Sequence, residues 1–385
     1  MVTVGFISVG SSAFLMLAVA SRLLGAELFS GVGLVWTVSS IYGIGLAGPV
    51  EQFINRNRNT GRSRGLRGPS RTLGGGAGLT VVLSLLIVGR NVDRGLEVAA
   101  IGIAAVGWWA VTLVRGRLAG AGDLRAYAWV LVCESSLRLI LVVLAWVLPG
   151  SSRWLLFAAI GLPLLGAAFF GLRWRIPAEA KTENDAPAYE QVWFIAMSLG
   201  IQVCLNGAPI LLQWQFTGVR IGVVGAFVAA STYFRIPTIL VGGIQTRGLV
   251  ELSHAAGGSD SELLRSRSLA TLREVGAVTV IATIALGLLE PWLLPWYYGR
   301  RIGLPVAAMV GLGCSTILVA VAMAGSLTLL ATSRAALAGR NWLAGAAVSA
   351  SCYSVAGGQW GIVVLGLIAG PLVVVGLTAR GWTRL

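Results

Sequence analysis

Apolar runs long enough to cross a lipid bilayer constrain this chain more than any other feature. A spanning helix needs about 20 mostly apolar residues, because in hydrocarbon every backbone N–H and C=O must be paired within the segment. Twelve such runs follow one another: Thr3–Leu24, Phe29–Val50, Leu73–Gly89, Val98–Val114, Ala128–Leu148, Trp154–Leu172, Val192–Leu212, Val219–Val241, Val278–Pro295, Leu304–Leu330, Trp342–Val355 and Gly358–Ala379. The eleventh is short and is expected to be broken or tilted. Charged residues make up 11 % of the chain, against about 25 % in a soluble domain. The mean hydropathy of +0.82 exceeds what one buried core could absorb, so lipid must be the solvent. The expected fold is all-α and integral to the membrane. The first run has no basic residue before it and no small-residue cleavage site after it, and is taken as a retained span rather than a signal peptide.

The net charge of +14 would suggest nucleic acid in a soluble protein. Here the cations fall between apolar runs, so no nucleic-acid partner is expected. With a cytoplasmic N-terminus and alternating spans, twenty basic residues lie on the inner side, from Arg56–Arg71 through Arg115, Arg117 and Arg125 to Arg380 and Arg384. Six lie on the outer side: Arg90, Arg94, Arg153, Arg220, Arg300 and Arg301. This positive-inside bias predicts cytoplasmic N- and C-termini in an inner (plasma) membrane. The inner arginines double as contacts for anionic lipid. The longest polar stretches are expected as inner loops near 54–72, 173–191 and 245–275. The middle one reads as a linker, dividing the chain into an N-terminal six-helix lobe (1–172) and a C-terminal six-helix lobe (192–385) around a central polar cavity. That is the layout of transporters built from repeated lobes.

Charged groups inside spans are costly and mark cavities or partners. They are few: Arg22, Glu134, Arg138 and Arg235, with Glu51 and Glu290 near helix ends. Arg22 either lines the cavity or snorkels to the interface. Glu134 and Arg138, four apart on one helix face, form either structural glue or a proton site. Arg235 lies deeper and has no carboxylate within a helical turn. Gln202 and Asn206 stand in the seventh run, with Gln213, Gln215, Gln52, Asn55 and Gln245 at helix ends. A cavity lined by these groups is polar with a positive bias. It suits an anionic headgroup such as a phosphate, which arginine binds through several donors, and not a cationic drug. Gly74/Gly78 and Gly366/Gly370 have the spacing of helix-packing seams. The four cysteines and single histidine have no metal-ligand spacing. No metal, cofactor or catalytic set is expected, and the chain is not expected to be an enzyme.

Two stretches carry a resemblance. Ser21-Arg22-Leu23-Leu24-Gly25-Ala26-Glu27-Leu28-Phe29-Ser30-Gly31, with a second span ending Gly48-Pro49-Val50-Glu51-Gln52, resembles the opening hairpin of the polysaccharide (Wzx-type) flippases of the multidrug/oligosaccharidyl-lipid/polysaccharide exporter superfamily. Asn206-Gly207-Ala208-Pro209, Gly222-Val223-Val224-Gly225-Ala226-Phe227 and Phe234-Arg235-Ile236-Pro237 are similar to the hairpin that opens the second half in that family. Members often carry an acidic residue near the start of the seventh span, where this chain has Ala208 and Pro209. The resemblance implies translocation of a polyprenyl-pyrophosphate-linked oligosaccharide from the inner to the outer leaflet by alternating access. By charge and placement within the spans, Arg22, Arg138, Arg235, Asn206 and Gln202 are the expected substrate contacts and Glu134 is the ion-coupling candidate. The implied partners are that lipid-linked oligosaccharide, membrane lipids, and the polymerase or glycosyltransferases of polysaccharide assembly.

Three rivals stand beside it. A major-facilitator-type transporter also has twelve spans in two halves, although the loop Asn55–Arg71 lacks the Asp of that signature. A membrane glycosyltransferase needs an acidic set that Glu27 alone does not supply in the first outer loop. A non-transporting scaffold of a cell-envelope assembly complex would keep the helices.

Overall fold

The computed structural model describes residues 2–51, 54, 72, 74–80, 95–174, 188–215, 221–257, 261–299, 303–356 and 359–382. Among them there are helices and no strands. Among the described residues, nine helical stretches are long and apolar enough to cross a bilayer. Two compact units divide the chain, Met1–Gln191 and Val192–Leu385.

The first unit opens with α1 (Val2–Tyr42), which breaks at Gly25. There φ is 69° and ψ −178°, a conformation closed to side chains with a Cβ. The break separates two spans, Val4–Gly25 and Leu28–Glu51, and a π-helical turn at Gly43–Ala47 follows. Then come α2 (Gly95–Gly120), α3 (Leu124–Val147) and α4 (Ser152–Gly171). Gly122, at φ 74°, turns the chain between α2 and α3. The Asp123 carboxylate accepts from the Ala126 amide at 2.9 Å to cap α3. α4 packs along α2 and α3, and α1 packs on α3. Gly161 lets α4 approach α2 so closely that a Cβ would stand 2.7 Å from the Ala104 nitrogen.

The second unit holds α5 (Ala188–Gln215), α6 (Ile221–Phe234), α7 (Ile236–Gly257), α8 (Ser261–Tyr298), α9 (Val306–Ala331), α10 (Ala335–Val355) and α11 (Trp360–Trp382). α11 packs on α9 and α10, and α8 packs on α7 and α9. Ile201, Cys204, Val319, Trp342 and Val374 form a core that joins α5, α9, α10 and α11.

The side chains are distributed inside out relative to a water-soluble bundle. On α3, Glu134, Arg138, Val142 and Ala145 are buried, while Leu139, Ile140, Val143, Trp146 and Val147 are exposed. On α8, Ile281, Ile284, Leu288, Trp292 and Trp296 are exposed. A surface of Leu, Ile, Val and Trp over buried ions requires hydrocarbon outside. The chain is a multi-pass membrane protein.

Three expectations change. The eighth run is not one continuous helix: it is interrupted at Arg235 between α6 and α7, where Pro237 supplies no N–H to the preceding turn. The expected inner loop 245–275 is helical up to Gly257 and again from Ser261. Arg247 and Arg267 meet Glu251 at 3.6 and 3.2 Å, and Arg247 also meets Glu274, which ties α7 to α8 through charged residues. The short eleventh run is the C-terminal part of a 21-residue helix. Its first turns carry Arg340, stacked 5.3 Å over the Trp193 ring, and Asn341, bonded to Thr378. Most of the third run and of the 173–191 linker lies outside the described residues.

Candidate functional site

Each unit contains, among the described residues, a constellation of polar groups built around arginine. In the first unit, α3 presents Glu134 and Arg138 to the interior, one turn apart. Arg138 Nη2 donates to Glu134 Oε1 at 2.7 Å. Arg115, from α2, donates to the other carboxylate oxygen. All three residues are at most 4 % exposed. Arg138 also donates from Nε to the Ala159 carbonyl on α4 at 3.2 Å and from Nη1 to Ser12 Oγ on α1 at 3.0 Å. Its guanidinium carbon lies 5.8 Å from the centre of the Trp36 ring. One side chain therefore fastens α1 and α4 to α3. Half-buried Glu51 accepts from Tyr127 Oη at 2.7 Å nearby.

In the second unit, Arg235 sits at the break between α6 and α7. Its Nη1 donates to Asn206 Oδ1 and its Nη2 to the Leu205 carbonyl, both on α5. Asn206 Nδ2 donates in turn to Gln202 Oε1. Gln202 and Asn206, four apart, are buried on one face of α5. Tyr353 of α10 closes the other side, with its hydroxyl 3.5 Å from the Cys204 carbonyl. Both acceptors of Arg235 are neutral. No carboxylate of this unit is buried among the described residues, so the cation is held by dipoles alone.

The structure thus gathers Arg235, Asn206 and Gln202 into one chain of hydrogen bonds. It places Arg138 and Glu134 in a separate cluster of their own unit. Arg22 is exposed, three residues before the Gly25 break. Three of the five N–H groups of Arg138 are bound to protein. Both Glu134 oxygens already accept from arginine, which ties that carboxylate to the packing of the unit. Arg115 was missed by the sequence reading, which counted it among the loop arginines. Its position nineteen residues before Glu134 carries no periodic signal, and only the packing of α2 on α3 pairs them. Gln52 and Asn55 lie outside the described residues, as do the side chains of Gln213 and Gln215. Gln245 Nε2 is buried without a partner among the described residues. The four cysteines are free, and no metal-holding group of His, Cys, Asp and Glu occurs among the described residues.

No family model matches the chain, and no curated protein matches it in sequence. Solved structures do match in fold. An inward-facing multidrug resistance MATE family transporter of the MOP superfamily aligns with a TM-score of 0.69 at 13 % identity, over 100 % of this chain and 99 % of that one. An outward-facing MATE transporter aligns at 0.66 with 15 % identity, over 100 % and 95 %. A MOP superfamily transporter from Pyrococcus furiosus, described as having a binding pocket of reverse polarity that suggests a different function, aligns at 0.66 with 14 % identity, over 100 % and 95 %. The fold of this chain is that of the MATE transporters, and the major-facilitator layout is set aside on that ground.

Proposed function

We propose that this protein is an alternating-access transporter that moves a polyprenyl-pyrophosphate-linked oligosaccharide from the inner to the outer leaflet of the plasma membrane. Its termini face the cytoplasm in this reading, as the inner bias of basic residues requires. The observation that carries the choice of cargo is Arg235, a half-buried guanidinium with only neutral partners among the described residues. A cation held only by neutral acceptors attracts a phosphate or pyrophosphate and repels an organic cation. The arginines of the first unit carry less weight, because both are paired with Glu134. The chemistry is vectorial movement: binding, exposure to the other side and release, with no bond made or broken.

The test follows lipid-linked oligosaccharide on the outer leaflet of a depletion strain restored with wild type, Arg235→Ala or Arg235→Lys. Wild type should relieve an inner-leaflet accumulation. Arg235→Ala should slow the appearance of outer-leaflet substrate by about ten-fold or more, the scale of one charge-assisted contact, and Arg235→Lys by less. If depletion leaves the lipid-linked glycans unchanged, the transport reading falls and a scaffold role replaces it. If Arg235→Ala transports like wild type, Arg235 is not a cargo contact.

A further inference from the structure

A proline inside a helix has no N–H, so the carbonyl four residues before it loses its helical donor. In a membrane interior that orphan acceptor is costly, since no water replaces the donor. The two constellations share a feature that follows from this. Pro163 in α4 orphans the Ala159 carbonyl, and Arg138 Nε donates to that oxygen. Pro209 in α5 orphans the Leu205 carbonyl, and Arg235 Nη2 donates to that one. In each unit an arginine from outside that helix fills the gap a proline leaves. The charge balance of the two differs. Arg138 is also paired with Glu134, whereas the other partner of Arg235 is the neutral Asn206 amide.

We infer that Pro209 is a specificity-determining residue: by orphaning the Leu205 carbonyl it makes an internal competitor for Arg235, and an anionic phosphate or pyrophosphate ligand must displace that carbonyl to bind. This rests on the proposed function. A phosphate oxygen is the stronger acceptor, because both partners are then ionised and the guanidinium can engage two oxygens at once. The ligand therefore wins, and the Leu205 carbonyl is left without a donor. Observed affinity is the difference between the two. A weak, neutral ligand cannot displace the carbonyl and is rejected. In Pro209→Ala the residue at 209 regains its N–H and satisfies the Leu205 carbonyl within the helix. The Nη2 group of Arg235 is then free before the ligand arrives.

The experiment uses the full chain in nanodiscs of neutral lipid. Geranylgeranyl pyrophosphate is the probe, with inorganic pyrophosphate in a parallel arm. Binding is measured for wild type, Pro209→Ala, Arg235→Ala and the double variant, and thermal unfolding is recorded for the same four. Pro209→Ala should tighten probe binding by about ten-fold, the scale of one buried acceptor that no longer goes unpaired. Arg235→Ala should lose binding in both backgrounds. Arg235→Ala should also lower the unfolding temperature in the wild-type background and change it little in Pro209→Ala, where the gap no longer exists. Tightening for the prenylated probe alone assigns the site to a lipid-linked pyrophosphate. Tightening in both arms assigns it to the free anion. Wild type that binds through Arg235, with no tightening in Pro209→Ala, overturns this inference and leaves the proposed function standing. Wild type with no Arg235-dependent binding in either arm overturns both. An equal loss of stability for Arg235→Ala in the two backgrounds overturns the competition as well, because the carbonyl contact would then owe nothing to the proline.

Discussion

Glu134→Ala is expected to destabilise the protein by about 3–5 kcal/mol, the cost of removing one partner from a buried ion cluster. It should be the most damaging single change in the cluster. Glu134 is the one anion bound to both Arg115 and Arg138. Its removal leaves two guanidinium groups facing each other in a site closed to water. Arg138→Ala should rank second. It leaves a neutral Arg115–Glu134 pair but strips the donor from the Ala159 carbonyl and from Ser12. Arg115→Leu should be mildest, since the Glu134–Arg138 pair survives it and the Arg115 Nε already has no partner among the described residues. The order is read from the unfolding of the full-length variants in detergent, by heat or by titration with a denaturing detergent. An ion-coupling role makes a different forecast: Glu134→Gln would fold like wild type and transport without its dependence on the driving ion. A Glu134→Gln protein that is as stable as wild type would end the structural reading. Replacing all three residues by leucine, which rescues stability in many buried ion clusters, should fail here because the Ala159 carbonyl would remain unpaired.

Much of this fold is legible in the sequence because lipid imposes one rule on every residue of a span. Runs such as Val306–Ala331 need nothing but length and apolarity to be found. The misses fall where polar residues continue a helix. Ser261–Arg273 reads as a loop because it carries charges, yet it forms the first turns of a 38-residue helix. At about 1.5 Å per residue that helix is longer than a bilayer is thick, so part of it can stand in water, where charge no longer argues against helix. Arg340 and Asn341 shortened the expected eleventh span for the same reason. Their polar groups are met by Trp193 and Thr378, which lie far away in sequence.

The candidate site was legible to the extent that it is local. Gln202 and Asn206 share a face by their spacing alone, and Glu134 and Arg138 likewise. Arg235 stands out as a lone cation in an apolar run. What joins Arg235 to Asn206, or Arg115 to Glu134, is helix packing, which no periodicity encodes. A signal did exist for the arginine contacts at Ala159 and Leu205: each lies four residues before a proline in a run too apolar to leave a carbonyl unpaired. It says that a donor is needed, and not which residue brings it.

The glycine spacings separate in a way that gives the second large effect. Gly366/Gly370 is a packing seam, as its spacing predicts. A Cβ on Gly370 would lie 2.5 Å from the Gly345 carbonyl oxygen and also strike Ser349 Oγ, and one on Gly366 would lie 2.6 Å from the Tyr353 ring. Around Gly74 and Gly78 a Cβ meets nothing within 4 Å among the described residues; the close approach in that segment is at Gly76, against Leu46. Gly370→Val should therefore force α10 and α11 apart, at a cost of about 1–3 kcal/mol or more, because one of the two obstacles, the Gly345 carbonyl, is backbone that cannot rotate away. Gly376→Ala, on the same helix with open space around its Cβ, should be neutral or stabilising by up to about 1 kcal/mol through helix propensity. The pair is compared by unfolding temperature and by monodispersity after extraction. Two glycines one and a half turns apart, equal to any scale of composition, should then differ in sign. The seam also carries function in this reading. Tyr353 and Ser349 sit on α10 between Gly370 and the Cys204–Asn206 segment of α5. Splaying α10 from α11 should move Tyr353 off that segment, so Gly370→Val should weaken pyrophosphate-probe binding in whatever protein still folds. Unaltered stability for Gly370→Val would show that α11 does not lie against α10 as closely as described, and would detach Tyr353 from the Arg235 site.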